Sequence, residues 1–327
     1  MKKIIPKKLK KGDEIRVVAP SRSMGLLSDE TIDIATKRLE KLGFKVSFGK
    51  NVMKENNKVY MCGSIKDRVD DLHDAFRDKN VKAILTVIGG FNVNQILDFI
   101  DYDLIRENPK IICGFSDITA LLNAIYKKTG LVTYYGPHYS SFGMKNGFDY
   151  TEEYFCKMLV DDDSINICDS SEWSDDPWFL DQDKRDFINN SGRVVINEGK
   201  AEGTIIGGNL CTFNLLQGTE YMPDDDNVIL FIEDDSLVGG EFTREFDRDL
   251  QSLLHCLKSK TIKGVIVGRA QKGSEMNLDK WKYILDKDVL KNIPVIIDMD
   301  FGHTTPIITF PIGGSCIIDN DKVIISD

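Results

Sequence analysis

Apolar runs alternate with helical patterns through the first half of this chain, and few architectures accept that alternation. EIRVVAP (14–20), VKAILTVIGG (81–90) and KIICGF (110–115) are short and dominated by apolar residues, as strands buried on both faces are. Between them, Ile32, Ala35, Leu39 and Leu42 keep helical spacing behind a capping Ser28, and Gly43 ends that helix. FKVSFG (44–49) reads as a further short strand. Ile65, Val69, Leu72 and Phe76 form a second helical stripe behind Ser64 and Asp67, spaced as a capping box. NVNQILDFI (92–100) reads as another helix. Strands alternating with helices imply βαβ units and a parallel sheet. Ligands of such sheets bind beyond the carboxyl ends of the strands. Pro20-Ser21, Gly89-Gly90 and Ser116 all fall at such ends.

The last of these ends carries the sharpest local signal. KIICGFSDITALLNAI (110–125) is an apolar strand, a turn through Gly114-Phe115-Ser116-Asp117, and a helix whose Ile118, Leu121, Leu122 and Ile125 share a face. A serine on such a turn is exposed, and the unpaired N–H groups of the helix start favour an oxyanion there: the arrangement of a nucleophile elbow. Ile118 occupies the fifth position of G-x-S-x-G, so the motif taken alone fits an ordinary Ser/Asp helix cap better than a catalytic elbow.

The second half follows a different grammar. DDDSINICDSSEWSDDPWFLDQDKRD (161–186) is acidic and aperiodic and reads as a connection with a surface loop. RVVINEG (193–199) and GTIIGGN (203–209) read as strands joined by a turn, followed by the helix NLCTFNLLQG and the strand NVILFIEDDS. Phe242, Phe246, Leu250, Leu253 and Leu257 mark a long amphipathic helix. KGVIVGRA and IPVIIDMD are further strands, and ITFPIGGSCIIDNDKVIISD closes the chain as a β-hairpin. The expected fold class is therefore α/β in two domains. Residues 1–160 form a parallel-sheet unit with the elbow, 161–190 a linker and substrate loop, and 191–327 a mixed α/β unit.

At 327 residues, with 42% hydrophobic and 29% charged, the chain can bury a large core. A net charge of −10 argues against a nucleic-acid groove. The lysine-rich start lacks the apolar stretch of a signal peptide, and no run approaches a membrane span. Seven scattered cysteines show no C-x-x-C spacing and read as reduced thiols. Four histidines have no ligand spacing, so neither a metal nor a cofactor is expected, and the expected location is the cytoplasm.

A nucleophilic Ser116 needs a base, and the base an orienting carboxylate. His303, in DMDFGHTTP, follows an apolar strand; His138, in YYGPHYSSFG, is the rival. His73 and His255 lie on helices and read as structural. Glu233 ends the strand VILFIE, where a carboxylate is costly without a partner. His303 would be such a partner.

Taken together, VIGGFNVNQIL, IICGFSDITALLNAIY, YYGPH, EWSDDPW, EGTIIGGNL, NLLQGTEYMP, FIEDD, FDRDLQSLL, VIVGRA and FGHTTP, with the opening APSR, resemble the LD-carboxypeptidase family of serine peptidases, and most closely its microcin-C immunity (MccF-like) branch. The resemblance implies Ser116 as nucleophile, His303 as base and acid, and Glu233 as the group orienting His303. It places the oxyanion hole at the backbone N–H of Asp117 and of one glycine of the pair, Gly90 being preferred to Gly89. It implies hydrolysis before a C-terminal residue or residue-like group, in a small peptide, a muropeptide or a peptidyl-nucleotide, by a homodimer. Asn92 stands after the glycine pair, where the muropeptide branch tends to carry arginine. Trp173 or Trp178 would stack on a purine, and Asn209 would meet the polar end of the substrate. The competing class is a two-domain binding protein that uses the same cleft without turnover.

Overall fold

The computed structural model describes residues 2–161, 164–257 and 262–327. In the first sheet, β1 (Glu14–Val18), β2 (Lys45–Phe48), β3 (Val81–Thr86), β4 (Ile111–Gly114) and β5 (Thr133–Tyr135) are parallel, in the order β5-β4-β3-β1-β2. Ile15, Val17, Ala83, Leu85, Ile111 and Cys113 are all fully buried, as the apolar runs require. The crossovers are helical. α1 (Asp29–Lys41) starts where Ser28 Oγ accepts the Thr31 N–H at 3.1 Å. α2 (Ile65–Arg77) starts where Ser64 Oγ accepts the Asp67 N–H at 3.1 Å and donates to its carboxylate at 2.7 Å. Each cap stabilises its helix by about 1 kcal/mol.

The stretch after the glycine pair departs from expectation. Val93–Phe99 forms 3₁₀ turns rather than an α-helix, and the short α3 (Tyr102–Glu107) follows. Its buried Val93, Ile96 and Leu97 sit at a three- and four-residue spacing that serves either helix type, so periodicity could not separate the two. α4 (Ile118–Thr129) leaves β4 at Ser116 and is buried almost all round.

After α5 (Asp149–Cys156) the chain enters an eight-stranded mixed sheet. Its first strand, β6 (Ser164–Asn166), is an edge strand, and β7 (Glu172–Trp173) pairs with β8 (Ile188–Asn189) as a separate ribbon. The stretch 161–190 thus contributes to a sheet as well as connecting two. β9 (Val194–Asn197) and β10 (Lys200–Asn209) are consecutive but not paired, contrary to the hairpin-like expectation. Residues 205–209 of β10 are buried and suit the sheet centre, whereas β9 is half-buried throughout and lies at the far edge.

Strand β10 continues in parallel through β11 (Val228–Glu233), β12 (Ile262–Gly268) and β13 (Val295–Met299), which pairs with β9. α6 (Leu210–Asn214) follows β10 directly. α7 (Phe242–Cys256) buries Phe242, Phe246, Leu250 and Leu253, and Trp281 of α8 (Leu278–Leu285) meets the Phe246 ring edge-on at 5.1 Å. Full burial of each such side chain stabilises the fold by roughly 1.5–3 kcal/mol. Among the described residues no helix is long and apolar enough to cross a membrane.

The last three strands divide between the sheets. β14 (Phe310–Ile312) crosses back to pair antiparallel with β5, while β15 (Ser315–Asp319) and β16 (Lys322–Ser326) form the expected hairpin beside β10. Helix α4 is wedged where the sheets meet. Asn123 Nδ2 donates to Gly207 O at 2.8 Å, and the Asn209 N–H donates to Thr119 Oγ1 at 2.9 Å. These bonds fix the elbow relative to the ends of β10 and β11.

Candidate active site

Ser116 adopts φ +59° between β4 and α4. A left-handed conformation at a non-glycine residue costs roughly 1–3 kcal/mol and persists only where its surroundings enforce it. Here the next residue does much of the enforcing. Asp117 Oδ2 accepts the Ser21 hydroxyl at 2.5 Å and the N–H groups of Asn92 and Val93 at 3.0 Å each. Burial pushes this carboxyl up, while the three donors pull it down. One buried side chain therefore fastens together the three strand ends singled out in the sequence.

His303 and Glu233 arrive from the second sheet. His303 Nε2 lies 3.0 Å from Ser116 Oγ, and its Nδ1 lies 2.8 Å from Glu233 Oε2. Glu233, 1% exposed, ends β11 and takes a second hydrogen bond at Oε1 from the Tyr135 hydroxyl at 2.7 Å. Burial and the neighbouring carboxylate hold that hydroxyl far above its ordinary range, so it remains a donor. The two donors offset much of the cost of burying the carboxylate. Gly302 allows the approach: at φ +108° a Cβ there would lie 2.7 Å from Glu233 Oε2.

Charge then decides the protonation of His303. Burial lowers its pKa, but the charge and hydrogen bond of Glu233, reinforced by Asp235 and Asp234, outweigh it and raise the value to about 9. Asp234 is itself pushed up to about 7 by burial, then by Glu233 and Asp235.

The rival base, His138, lines the same cleft but is not joined to Ser116. Its Nδ1 lies 2.8 Å from Thr86 Oγ1, and its ring packs on Phe115 at 4.3 Å. Burial first, then His303 and Arg22, hold it well below the ordinary histidine range and so neutral. His73 Nε2 accepts the Asp101 N–H at 2.9 Å, and His255 meets Gln251 on α7.

Ser116 borders two cavities. The first, about 310 Å³, adds Gly89, His303, Arg22 and Trp178 to its walls; the second, about 280 Å³, adds Gly90, Asp117, Asn209 and Asp234. A Cβ on Gly89 would lie 2.9 Å from Ser116 Cβ, whereas one on Gly90 would strike Ser21 Oγ at 2.3 Å. Among the described residues the N–H groups of Gly89, Gly90 and Asp117 have no backbone acceptor.

The expected substrate residues separate. Trp178 is on the cleft wall. Trp173 lies instead over the Arg269 guanidinium at 5.2 Å, which itself pairs with buried Asp300 at 3.0 Å; pairing of β7 with β8 carries it there. Asn92 is fully buried, its amide 3.1 Å from Cys62 Sγ and its N–H on Asp117, so it braces the glycine loop rather than facing a substrate. Asn209 borders the second cavity with its side chain committed to capping α6 and to Asp234 Oδ1 at 3.0 Å.

Sequence reasoning did not single out Arg22, Tyr135 or Asp234. Arg22 Nε donates to Gly89 O at 3.0 Å, and its position just past a strand end was a legible signal. Tyr135 carried none, because its partner lies on the other sheet. Among the described residues no cluster of three His, Cys, Asp or Glu side chains is arranged to hold a metal ion.

Family models agree with this geometry on both sides of the cleft. The LD-carboxypeptidase N-terminal domain matches residues 15–136, and the LD-carboxypeptidase C-terminal domain matches residues 202–318. The chain belongs to the LD-carboxypeptidase family. Within this serine peptidase family it is 55% identical to the putative carboxypeptidase YocD of Bacillus subtilis over 313 residues, 95% of each chain. The crystal structure of an MccF-like protein from Bacillus anthracis superposes with TM-score 0.97, at 51% identity over 99% of both chains. The microcin C7 self-immunity protein MccF of Escherichia coli is 34% identical, over 96% of this chain and 93% of its own length. Solved MccF complexes hold glutamyl sulfamoyl guanosine (TM-score 0.87, 31% identity, 98% of both chains) and aspartyl sulfamoyl adenosine (TM-score 0.88, 32% identity, 99% and 98%). A probable murein peptide carboxypeptidase of Bacillus subtilis is 32% identical over 96% of this chain and 91% of its own.

Proposed function

We propose that this LD-carboxypeptidase family member hydrolyses the amide-type bond joining a C-terminal, nucleotide-like group to a peptidyl or aminoacyl moiety, through an acyl-enzyme on Ser116. The observation that carries the reading is the continuous hydrogen-bonded chain Ser116–His303–Glu233, with both cavities opening at Ser116. Neutral His303, its Nδ1–H on Glu233, accepts the Ser116 proton at Nε2 as Oγ attacks the carbonyl carbon. The N–H groups of Gly90 and Asp117 hold the oxyanion. His303 then protonates the departing nitrogen, and a water repeats the sequence on the acyl-enzyme. Glu233 orients the ring and stabilises the imidazolium.

Trp178 offers a stacking face for a purine in the first cavity, and Arg22 a cation for a neighbouring anionic linker. The N-terminal unit (1–160) carries the nucleophile and the C-terminal unit (191–327) its partners. The same reading makes the protein a cytoplasmic homodimer; the resemblance to the family supports the dimer, and the free cysteines suit a reducing compartment.

A second reading, favoured by the murein peptide relative, keeps this chemistry and releases D-alanine from an L,D-linked tetrapeptide. Incubation with an aminoacyl-sulfamoyl adenosine and, separately, with the tetrapeptide, followed by mass spectrometry with Ser116→Ala as control, tests both. Serine-dependent release from the adenosine compound is expected. Release of D-alanine alone would establish the second reading.

A further inference from the structure

We infer that the second cavity selects a cationic residue on the acyl side of the bond that is cut. The inference rests on the catalytic reading of Ser116 and His303, because that reading fixes which cavity takes which half of the substrate. His303 borders the first cavity and is absent from the walls of the second. The departing nitrogen receives its proton from His303 Nε2, so the leaving group occupies the first cavity. The acyl half then extends past Ser116, Asp117 and Gly90 into the second.

That cavity carries one sign of charge. Asp234, Asp235, Glu245 and Asp249 line it, and no lysine, arginine or histidine does so among the described residues. Among the described residues the exposed Arg248 hydrogen-bonds Glu245 at 2.6 Å and also lowers the pKa of Asp249, and His303, outside the cavity wall, lowers that of Asp234. Asp234 accepts from Asn209 Nδ2, the Cys211 N–H and the Asp235 N–H, and Asp235 accepts from the Leu237 N–H. These are polar donors, and none neutralises the charge. Burial and neighbouring carboxylates push both Asp234 and Asp249 up, a repulsion that a bound cation would relieve. Phe91 and Leu215, both exposed, add apolar rims against which the methylenes of a lysine or arginine can lie. Glutamyl and aspartyl groups, which the MccF complexes hold, would meet like charge here.

The test compares lysyl-, leucyl- and glutamyl-sulfamoyl adenosine, with Nα-acetyl-lysyl and Nε-acetyl-lysyl forms as controls. kcat/KM is read on the wild type, and Kd by calorimetry on Ser116→Ala, which reports the charge order whether or not the bond is cut. Lysyl is expected to exceed leucyl and leucyl to exceed glutamyl, with lysyl over glutamyl by on the order of 10–100-fold. Nε-acetylation should erase the advantage, and Glu245→Gln with Asp249→Asn should narrow the lysyl-to-glutamyl ratio. A glutamyl compound bound or cut as well as the lysyl one overturns the inference. So does a preference that follows the α-amino group instead of the side chain, or an absence of binding across the series. Retained charge order in binding without turnover by the wild type would sink the proposed chemistry and leave the cationic subsite standing.

Discussion

Glu233 Oε2 lies 2.8 Å from His303 Nδ1, although the two residues are 70 positions apart, Glu233 ending β11 and His303 standing in the loop after β13. The pair sets the charge of the candidate base. Its consequence for pH follows from sign: a histidine raised to about 9 is cationic at neutral pH and accepts no proton from Ser116. kcat/KM should therefore rise with pH, with the rising limb centred near 9. Asp235→Asn removes a negative charge that favours the imidazolium, so the limb should move to lower pH. A pH profile already flat through neutrality would refute this.

Ser116→Ala and His303→Ala should each lower kcat by on the order of 10⁵–10⁶-fold, and the double variant by little more, because the groups act as a unit. Glu233→Gln should cost less, on the order of 10⁴-fold. Single-turnover kinetics with the adenosine substrate measures all of these. Equal, small effects would remove the triad assignment.

Tyr135→Phe deletes the donor to Glu233 Oε1 and leaves a 1% exposed carboxylate with one partner. Stability should fall by about 1–3 kcal/mol, read from denaturant midpoints. Activity should survive better than in His303→Ala, since the His303 contact lies on the other oxygen.

Trp178→Ala and Trp173→Ala should differ in kind. Loss of stacking at Trp178 should raise KM for the nucleotide substrate by roughly 10–100-fold, taking about 1–3 kcal/mol for a stacked base. Trp173→Ala should leave KM near wild type and lower the melting temperature, because that ring lies over Arg269. A KM effect at Trp173 alone would reverse the assignment.

Much of the site was legible because its signals are local. Ser116 sits at a strand-to-helix turn, Ser28 and Ser64 cap their own helices, and the buried carboxylate at Glu233 required a partner. Each is a matter of a few consecutive residues and one physical demand. The expected mixed sheet after residue 191 followed from apolar runs in the same way, although β14 pairs with the other sheet.

The sequence by itself therefore determined the alternation of strands and helices, the elbow, and which groups would need partners: these depend on periodicity, capping and the cost of burial. Tertiary structure decided the partners. It brought His303 rather than His138 to Ser116 across 187 positions, set Tyr135 on Glu233 across 98, turned Asn92 inward, and put Trp178 rather than Trp173 on the cleft. Such choices depend on how two sheets dock around α4, and no window along the chain contains that docking.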